Sequence, residues 1–322
     1  MGFDLVTTAY RSAAAYSRAV PRPVADLTAK ALSRAAATVS AERRMLVARH
    51  LRRARPELEG RALDRAVDAT FDSYARYWID SFRLPGLPAA EVDRHFGVEG
   101  FHHVTESFAA GRGTIVALPH LGGWEWAGFW LTGVMGLPVT VVVEPVEPPA
   151  LFEFFSDFRR QLGMHIVPLG PSAAGEVLRA LKANHVVCLL SDRDIIGDGV
   201  ELEFFGETTT LPAGPATLAL RTGARILPVG CYFEGSHGHH AVVQPPLDTE
   251  RQGRLRADVG RVTADLAVHL EELIRADPLQ WHLQQPNWPS DYDALEAIGK
   301  PHPRPTVGPS AAPAAPPADA VR

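Results

Sequence analysis

Only two cysteines occur in the 322 residues, Cys188 and Cys231, and each sits inside an apolar run. That count excludes a disulfide framework and a thiolate metal site, and both residues read as buried thiols in a reducing compartment. Long apolar runs are missing as well. No window approaches eighteen uninterrupted apolar residues, so a transmembrane helix is not expected. The first thirty residues lack a continuous apolar core, which argues against a secretory signal. No G-x-S-x-G elbow occurs, which removes a serine-hydrolase route to ester chemistry. A strong net charge is absent too, at −5.

What the chain does have is 46% hydrophobic residues, enough to bury a full core, and an uneven distribution of charge. Residues 1–60 hold eleven basic against five acidic side chains, so a basic segment precedes an acidic remainder. Such a segment points to an anionic surface as partner. Nucleic acid is not expected, since no recognition motif or interleaved aromatic pattern accompanies the charge. Residues 1–82 read as helical: Phe3, Leu5, Val6, Tyr10, Ala14 and Tyr16 roughly follow a three-and-four spacing that Pro21 and Pro23 break, and a second amphipathic stretch runs from about Val24 to Val39. Packing on the core and lying in a membrane interface both remain open for these helices.

From Val98 onward short β-rich runs alternate with helical patterns. "GTIVALP", "PVTVVVEP", "HIVPL" and "HVVCLLSDRD" read as strands, and "RILPVGCYFEG" with "HHAVVQPPL" as a hairpin. The intervening segments are long enough for crossover helices, which predicts an α/β fold with a mostly parallel central sheet flanked by helices. The expected organisation is an N-terminal helical, membrane-associating segment over 1–82, an α/β core over 83–299 and a disordered Pro/Ala-rich tail over 300–322.

"ALPHLGGWEWAGFWL" carries the chemistry. The spacing of His120 to Glu125 says little by itself, because thirteen histidines and thirty-seven acids produce about one or two H-x-x-x-x-[DE] matches by chance. Context adds weight. His120 follows a strand at the carboxyl edge of the sheet, where open α/β folds bind ligands. Gly122 and Gly123 let the backbone approach another molecule closely. On a continuous helix, five residues would turn Glu125 about 140° from His120, so the pair requires His120 in the turn and Glu125 in the first helical turn. Free N–H groups at that helix start would be donors to a developing oxyanion.

Glu144 ends the second strand, Arg159 and Arg160 follow on the next helix, and Arg193 and Asp194 follow the fourth strand. All five converge on the carboxyl edge near His120. Arginine suits a phosphate, and of the adjacent pair at most one points into the site, with Arg160 the expected one. Asp192, Arg193 and Asp194 also fit a structural salt-bridge cluster. Glu201 and Glu203 alternate on a strand and read as exposed. The "SHGHH" cluster at 236–240 lacks neighbouring acids or thiols, so no metal site is expected there.

"HLGGWEW" resembles the H-x-x-N/G-W-D/E motif of the lipid A lauroyl/myristoyl acyltransferase family. The likeness continues in order through "YARYWIDSFRLP", the stretch 141–164, the stretch 191–229 and "QWHLQQPNWPSD". "YWIDSFRLP", "SDRD" and "WHLQQPNWP" look most like the phosphatidylinositol mannoside acyltransferases. Gly123 stands where the family more often has asparagine. The resemblance implies an acyltransferase moving a long-chain acyl group from acyl-CoA to a hydroxyl of a phosphatidylinositol mannoside. His120 would be the general base, with Glu125 orienting its imidazole and no covalent enzyme intermediate. Glu144, Arg160, Arg193, Asp194, Gly122 and Gly123 would contact substrate. No metal or organic cofactor is implied, acyl-CoA being a co-substrate, and the setting would be the cytoplasmic face of the plasma membrane, peripherally bound. A lysophospholipid or lipid A-like acceptor, or a non-catalytic lipid-binding protein, stay open as other readings.

Overall fold

The computed structural model describes residues 4–304, with backbone alone at 36–39. Four helices come first: α1 (Leu5–Ala19), α2 (Arg22–Val39), α3 (Ala41–Ala54) and α4 (Gly60–Arg83). Short α5 (Ala89–Arg94), β1 (Phe96–Glu99) and α6 (Phe101–Ala109) lead into the sheet. There the chain alternates through β2 (Thr114–Leu118), α7 (Trp124–Phe129), β3 (Val139–Val143), α8 (Pro149–Gln161), β4 (His165–Pro168), α9 (Ala173–Lys182) and β5 (Val186–Leu190). A separate hairpin of β6 (Val200–Phe204) and β7 (Glu207–Leu211) precedes α10 (Gly214–Thr222), β8 (Arg225–Glu234), β9 (Gly238–Val243), α11 (Leu255–Ala276) and α12 (Pro289–Ala297).

The central sheet has seven strands in the order β1-β9-β8-β2-β5-β3-β4. Strands β2, β3, β4, β5 and β8 run parallel to their neighbours in the middle, and β9 returns antiparallel to β8. The fold is therefore the mostly parallel α/β arrangement expected, with the β8–β9 hairpin in place. Every residue of β2, "TIVAL", is buried, as a strand covered on both faces requires. One core lies between the sheet and the side carrying α9, α10 and α11, the other between the sheet and α5 to α8. Strand β1 was not legible beforehand. It is a four-residue edge strand pairing parallel with β9, too short for an alternation signal.

The N-terminal helices divide into two roles. α4 belongs to the core: its Tyr77, Ile79 and Phe82 are buried, and the carboxylate of its Asp80 binds Arg22 of α2 and lies 3.3 Å from His239 Nε2 on β9. α1 and α2 pack on α4 yet leave Leu5 and Leu27 77% and 71% exposed. No described helix is long and apolar enough to cross a membrane. The tail expected to be disordered lies outside the described residues from 305 onward.

One buried carboxylate ties α3 to α12. Asp291 accepts from Arg49 Nε at 2.7 Å and lies 3.0 Å from Arg53 Nη1 and 3.2 Å from His50 Nε2. It also accepts from the backbone N–H groups of Asn287 and Trp288. Burial alone would raise its pKa, but His50, Arg53 and Arg49 hold it well below the usual carboxylate value. A carboxyl whose folded pKa is depressed stabilises fully above its unfolded pKa of about 4 and loses that contribution as pH falls below it. Asp291→Asn should thus lower stability by about 3 kcal/mol at pH 7, because Arg49 loses its counter-charge, Arg53 keeps only Glu207, and the buried cluster is broken from one side. In urea titrations from pH 7 downward, the gap between wild type and variant should stay constant to about pH 4 and shrink below that. A constant gap throughout would exclude this account.

Candidate active site

Leu118 at the end of β2 is paired with Leu190 at the end of β5. His120 and Asp192 therefore lie at equal offsets beyond two adjacent parallel strands, which brings them side by side. Asp192 Oδ1 is 2.7 Å from His120 Nδ1, and Asp192 Oδ2 accepts from the His120 backbone N–H at 3.0 Å. Asp192 is fully buried. Burial pushes its carboxyl up, but the imidazole and the hydrogen bonds from His120 and Trp281 more than offset that, leaving its pKa below the ordinary value. With Nδ1 donating to the carboxylate, the Nε2 lone pair is the free one. The His120 side chain is 29% exposed and lines an apolar cavity on one face of the sheet.

The C-terminal segment holds this pair from behind. Leu121 bridges Trp281 in antiparallel fashion, the His282 N–H donates to the His120 carbonyl at 2.7 Å, and the Gly122 N–H donates to the Gln280 carbonyl at 2.9 Å. Trp281 Nε1 donates to Asp192 Oδ2 at 2.8 Å, and Asn287 Nδ2 to the Asp192 carbonyl at 2.9 Å. His282 lies behind the pair, 2.9 Å from Ser73 Oγ of α4. Burial and the nearby His120 lower its pKa to about 3, so it remains neutral at physiological pH and does not compete for the proton.

Glu125 is where the glycine-rich turn predicts it, in the first turn of a helix that begins at Trp124, while His120 stays in the preceding turn. Its partner differs from the expectation. Glu125 Oε1 accepts from Arg159 Nε at 3.0 Å and Nη2 at 2.6 Å, and from the Tyr77 hydroxyl at 3.2 Å. The carboxylate thus points toward α4 and α8, and the group that orients the imidazole is Asp192. Burial raises the Glu125 pKa against the lowering by Arg159 and Tyr77. For Arg159, burial lowers the pKa but Glu125 outweighs it, so the net shift is upward and the guanidinium stays charged.

The cavity beside His120 has a volume of about 250 Å³. Its wall takes side chains from six neighbouring strands, β3, β5, β2, β8, β9 and β1, all on the face covered by α7. His120, Arg159 and Glu144 are the ionisable groups on a wall that is otherwise apolar or thiol. One of those thiols, Cys188, is pushed up to about 12 by burial and so stays protonated.

The remaining expected residues separate. Glu144 reaches the cavity, with Arg193 Nη1 3.6 Å from its Oε2. Asp194 does not face substrate space: its two oxygens accept from the N–H groups of Gly197 and Gly199 and close the loop after β5. Of the two adjacent arginines, Arg159 is the buried one, and Arg160 lies outside, 2.7 Å from Asp157. The expectation for Arg160 is corrected for a simple reason: one residue along a helix rotates a side chain about 100°. Gly122 and Gly123 allow a close approach, but to the protein's own strands. A Cβ on Gly122, which has φ +54°, would strike the Cys231 carbonyl, and one on Gly123 would strike the His239 ring. Tyr77, Trp281 and His282 lie in the stretches "YWIDSFRLP" and "WHLQQPNWP", but no spacing in the sequence ties them to His120 or Glu125. Among the described residues, no three His, Cys, Asp or Glu are placed to hold a metal ion.

Comparison with known proteins bears on the chemistry. The model of the bacterial lipid A biosynthesis acyltransferases matches residues 5–290. The chain is 40% identical over 231 residues to a phosphatidylinositol mannoside acyltransferase of Mycolicibacterium smegmatis, covering 71% of this chain and 74% of that one. It is 42% identical over 235 residues to a phosphatidylinositol mannoside acyltransferase of Mycobacterium tuberculosis, covering 71% and 72%.

The two arginines make a direct comparison possible. Arg159→Ala leaves Glu125 buried without its counter-charge and should destabilise the protein by about 3–5 kcal/mol. Arg160→Ala removes an exposed partner and should change stability by about 0.5 kcal/mol or less. Urea unfolding of both variants measures this, and equal losses would contradict the assignment.

Proposed function

The chain belongs to the bacterial lipid A biosynthesis acyltransferase family, and we propose that it moves a long-chain acyl group from acyl-CoA to a hydroxyl of a phosphatidylinositol mannoside. The observation that carries this reading is the His120–Asp192 pair, with Nδ1 held by the carboxylate and the ring on the wall of an apolar cavity. The names of the mycobacterial relatives supply the acceptor class.

In this scheme His120 Nε2 takes the proton of the acceptor hydroxyl as its oxygen attacks the thioester carbonyl. Asp192 stabilises the imidazolium that forms and keeps the ring in one tautomer. The tetrahedral intermediate collapses, the C–S bond breaks, and the thiolate recovers the proton from His120. Attack is direct and needs no acyl-enzyme. A thiol held protonated, as Cys188 is, makes a poor nucleophile. Glu144 on the cavity wall and Arg193, 3.6 Å from it, suit sugar hydroxyls and phosphate. Glu125 acts at one remove by holding Arg159 against the cavity wall. No metal or organic cofactor enters the scheme.

The exposed apolar side chains of α1 and α2, among arginines and lysine, support peripheral attachment to an anionic membrane surface. A cytoplasmic leaflet of the plasma membrane would offer acyl-CoA and the glycolipid together.

His120→Ala and Asp192→Asn should each lower the rate of acyl transfer to phosphatidylinositol mannoside about 10²- to 10⁴-fold. Mass spectrometry of the lipid product measures it, with a lysophospholipid and a lipid A-like saccharide as rival acceptors. Wild-type rates in the Asp192→Asn variant would sink the base assignment, and preference for a rival acceptor would replace the substrate. Replacing Leu5 and Leu27 together by glutamate should weaken sedimentation with anionic phospholipid vesicles about tenfold or more, with transfer to detergent-dispersed acceptor retained.

A further inference from the structure

The cavity is not uniform along its length. On the cavity wall the covering helix α7 presents the small residues Ala127 and Gly128, with the Met164 methyl group seated where a Cβ on Gly128 would be. One turn further, where α7 passes into a π-helical stretch over Trp130–Val134, the wall turns bulky. Trp130 meets Phe96 of the edge strand β1 at 5.0 Å between ring centroids and Phe101 of α6 at 4.9 Å. All three rings line the cavity. Trp130 Nε1 donates to Asp93 Oδ1 of α5 at 2.8 Å, and the side chain is 7% exposed. That bond fixes the indole, which has only two rotatable bonds and two large neighbours.

Strand order gives the distance. From β2, which delivers His120, the sheet passes through β8 and β9 to β1, three strand spacings or roughly 14 Å. A chain whose reactive carbonyl sits at His120 and whose tail lies under α7 therefore ends against these rings. We propose that the Trp130–Phe96–Phe101 cluster is the stop that sets which acyl chain length the protein accepts. This rests on the acyl-transfer reading for the orientation of the chain, but chain binding can be measured without turnover.

Below the stop, each methylene added to a saturated fatty acid should tighten binding about fourfold, and beyond it the gain should cease or reverse. Displacement of a fluorescent fatty acid by saturated fatty acids of roughly ten to twenty carbons reads this break. Trp130→Leu should move the break to chains longer by about two carbons. Val98→Phe, which adds bulk beside the cluster on β1, should move it to shorter ones. If Trp130→Leu fails to fold by circular dichroism, Val98→Phe alone decides. A break that stays put in the folded variants, or affinity that rises through the whole series in the wild type, overturns the proposal. Transfer assays report separately: a movable break without acyl transfer to any acceptor would refute the proposed function and keep the stop.

Discussion

A single buried carboxylate, Asp192, holds the candidate site together. It receives the His120 ring and backbone N–H from β2's turn and the Trp281 indole from the C-terminal segment, while Asn287 holds the carbonyl of the same residue. Burying an ion without partners would cost several kcal/mol, and here the partners satisfy it. The arrangement serves two ends. It joins the turn after β2, the loop after β5 and the segment at 280–287, and it fixes the imidazole so that one nitrogen is committed and the other is left for chemistry.

A second buried ion pair, Glu125 with Arg159, supports the floor of the site. Charges are costly in such surroundings, so their presence beside an apolar cavity asks for a role. Glu125 at the start of α7 and Arg159 near the end of α8 clamp the two helices that cover the cavity, and Tyr77 of α4 closes the contact. The motif's histidine and acid are thus held differently: His120 by Asp192 on the cavity wall, and Glu125 by Arg159 and Tyr77, where it ties α7 to α8 and α4.

The N-terminal helices also have divided duties. α4 supplies Ser73 behind His282, Tyr77 to Glu125 and Asp80 to His239, so it is part of the site's scaffold. α1 and α2 rest on it and keep their most exposed apolar side chains outside. Under the proposed attachment, a surface helix pair seated on this scaffold would give a short path from a lipid surface to the cavity.

The alternation of β-rich and helical runs determined the α/β class and the β8–β9 hairpin, because those patterns are local and periodic. The glycines after Pro119 determined that His120 stays in a turn and Glu125 enters the helix. Tertiary structure decided the rest. The separation of 72 positions from His120 to Asp192 carries no spacing rule, and only the adjacency of β2 and β5 in register places equal offsets side by side. Arg159 and Arg160 are indistinguishable in composition, and only the rotation of α8 against the sheet selects which one is buried. Gly123 looked like room for a substrate and proved to be room for His239. Local pattern fixes conformation along the chain, whereas a partner across the sheet depends on strand order and helix rotation, which a linear pattern does not encode.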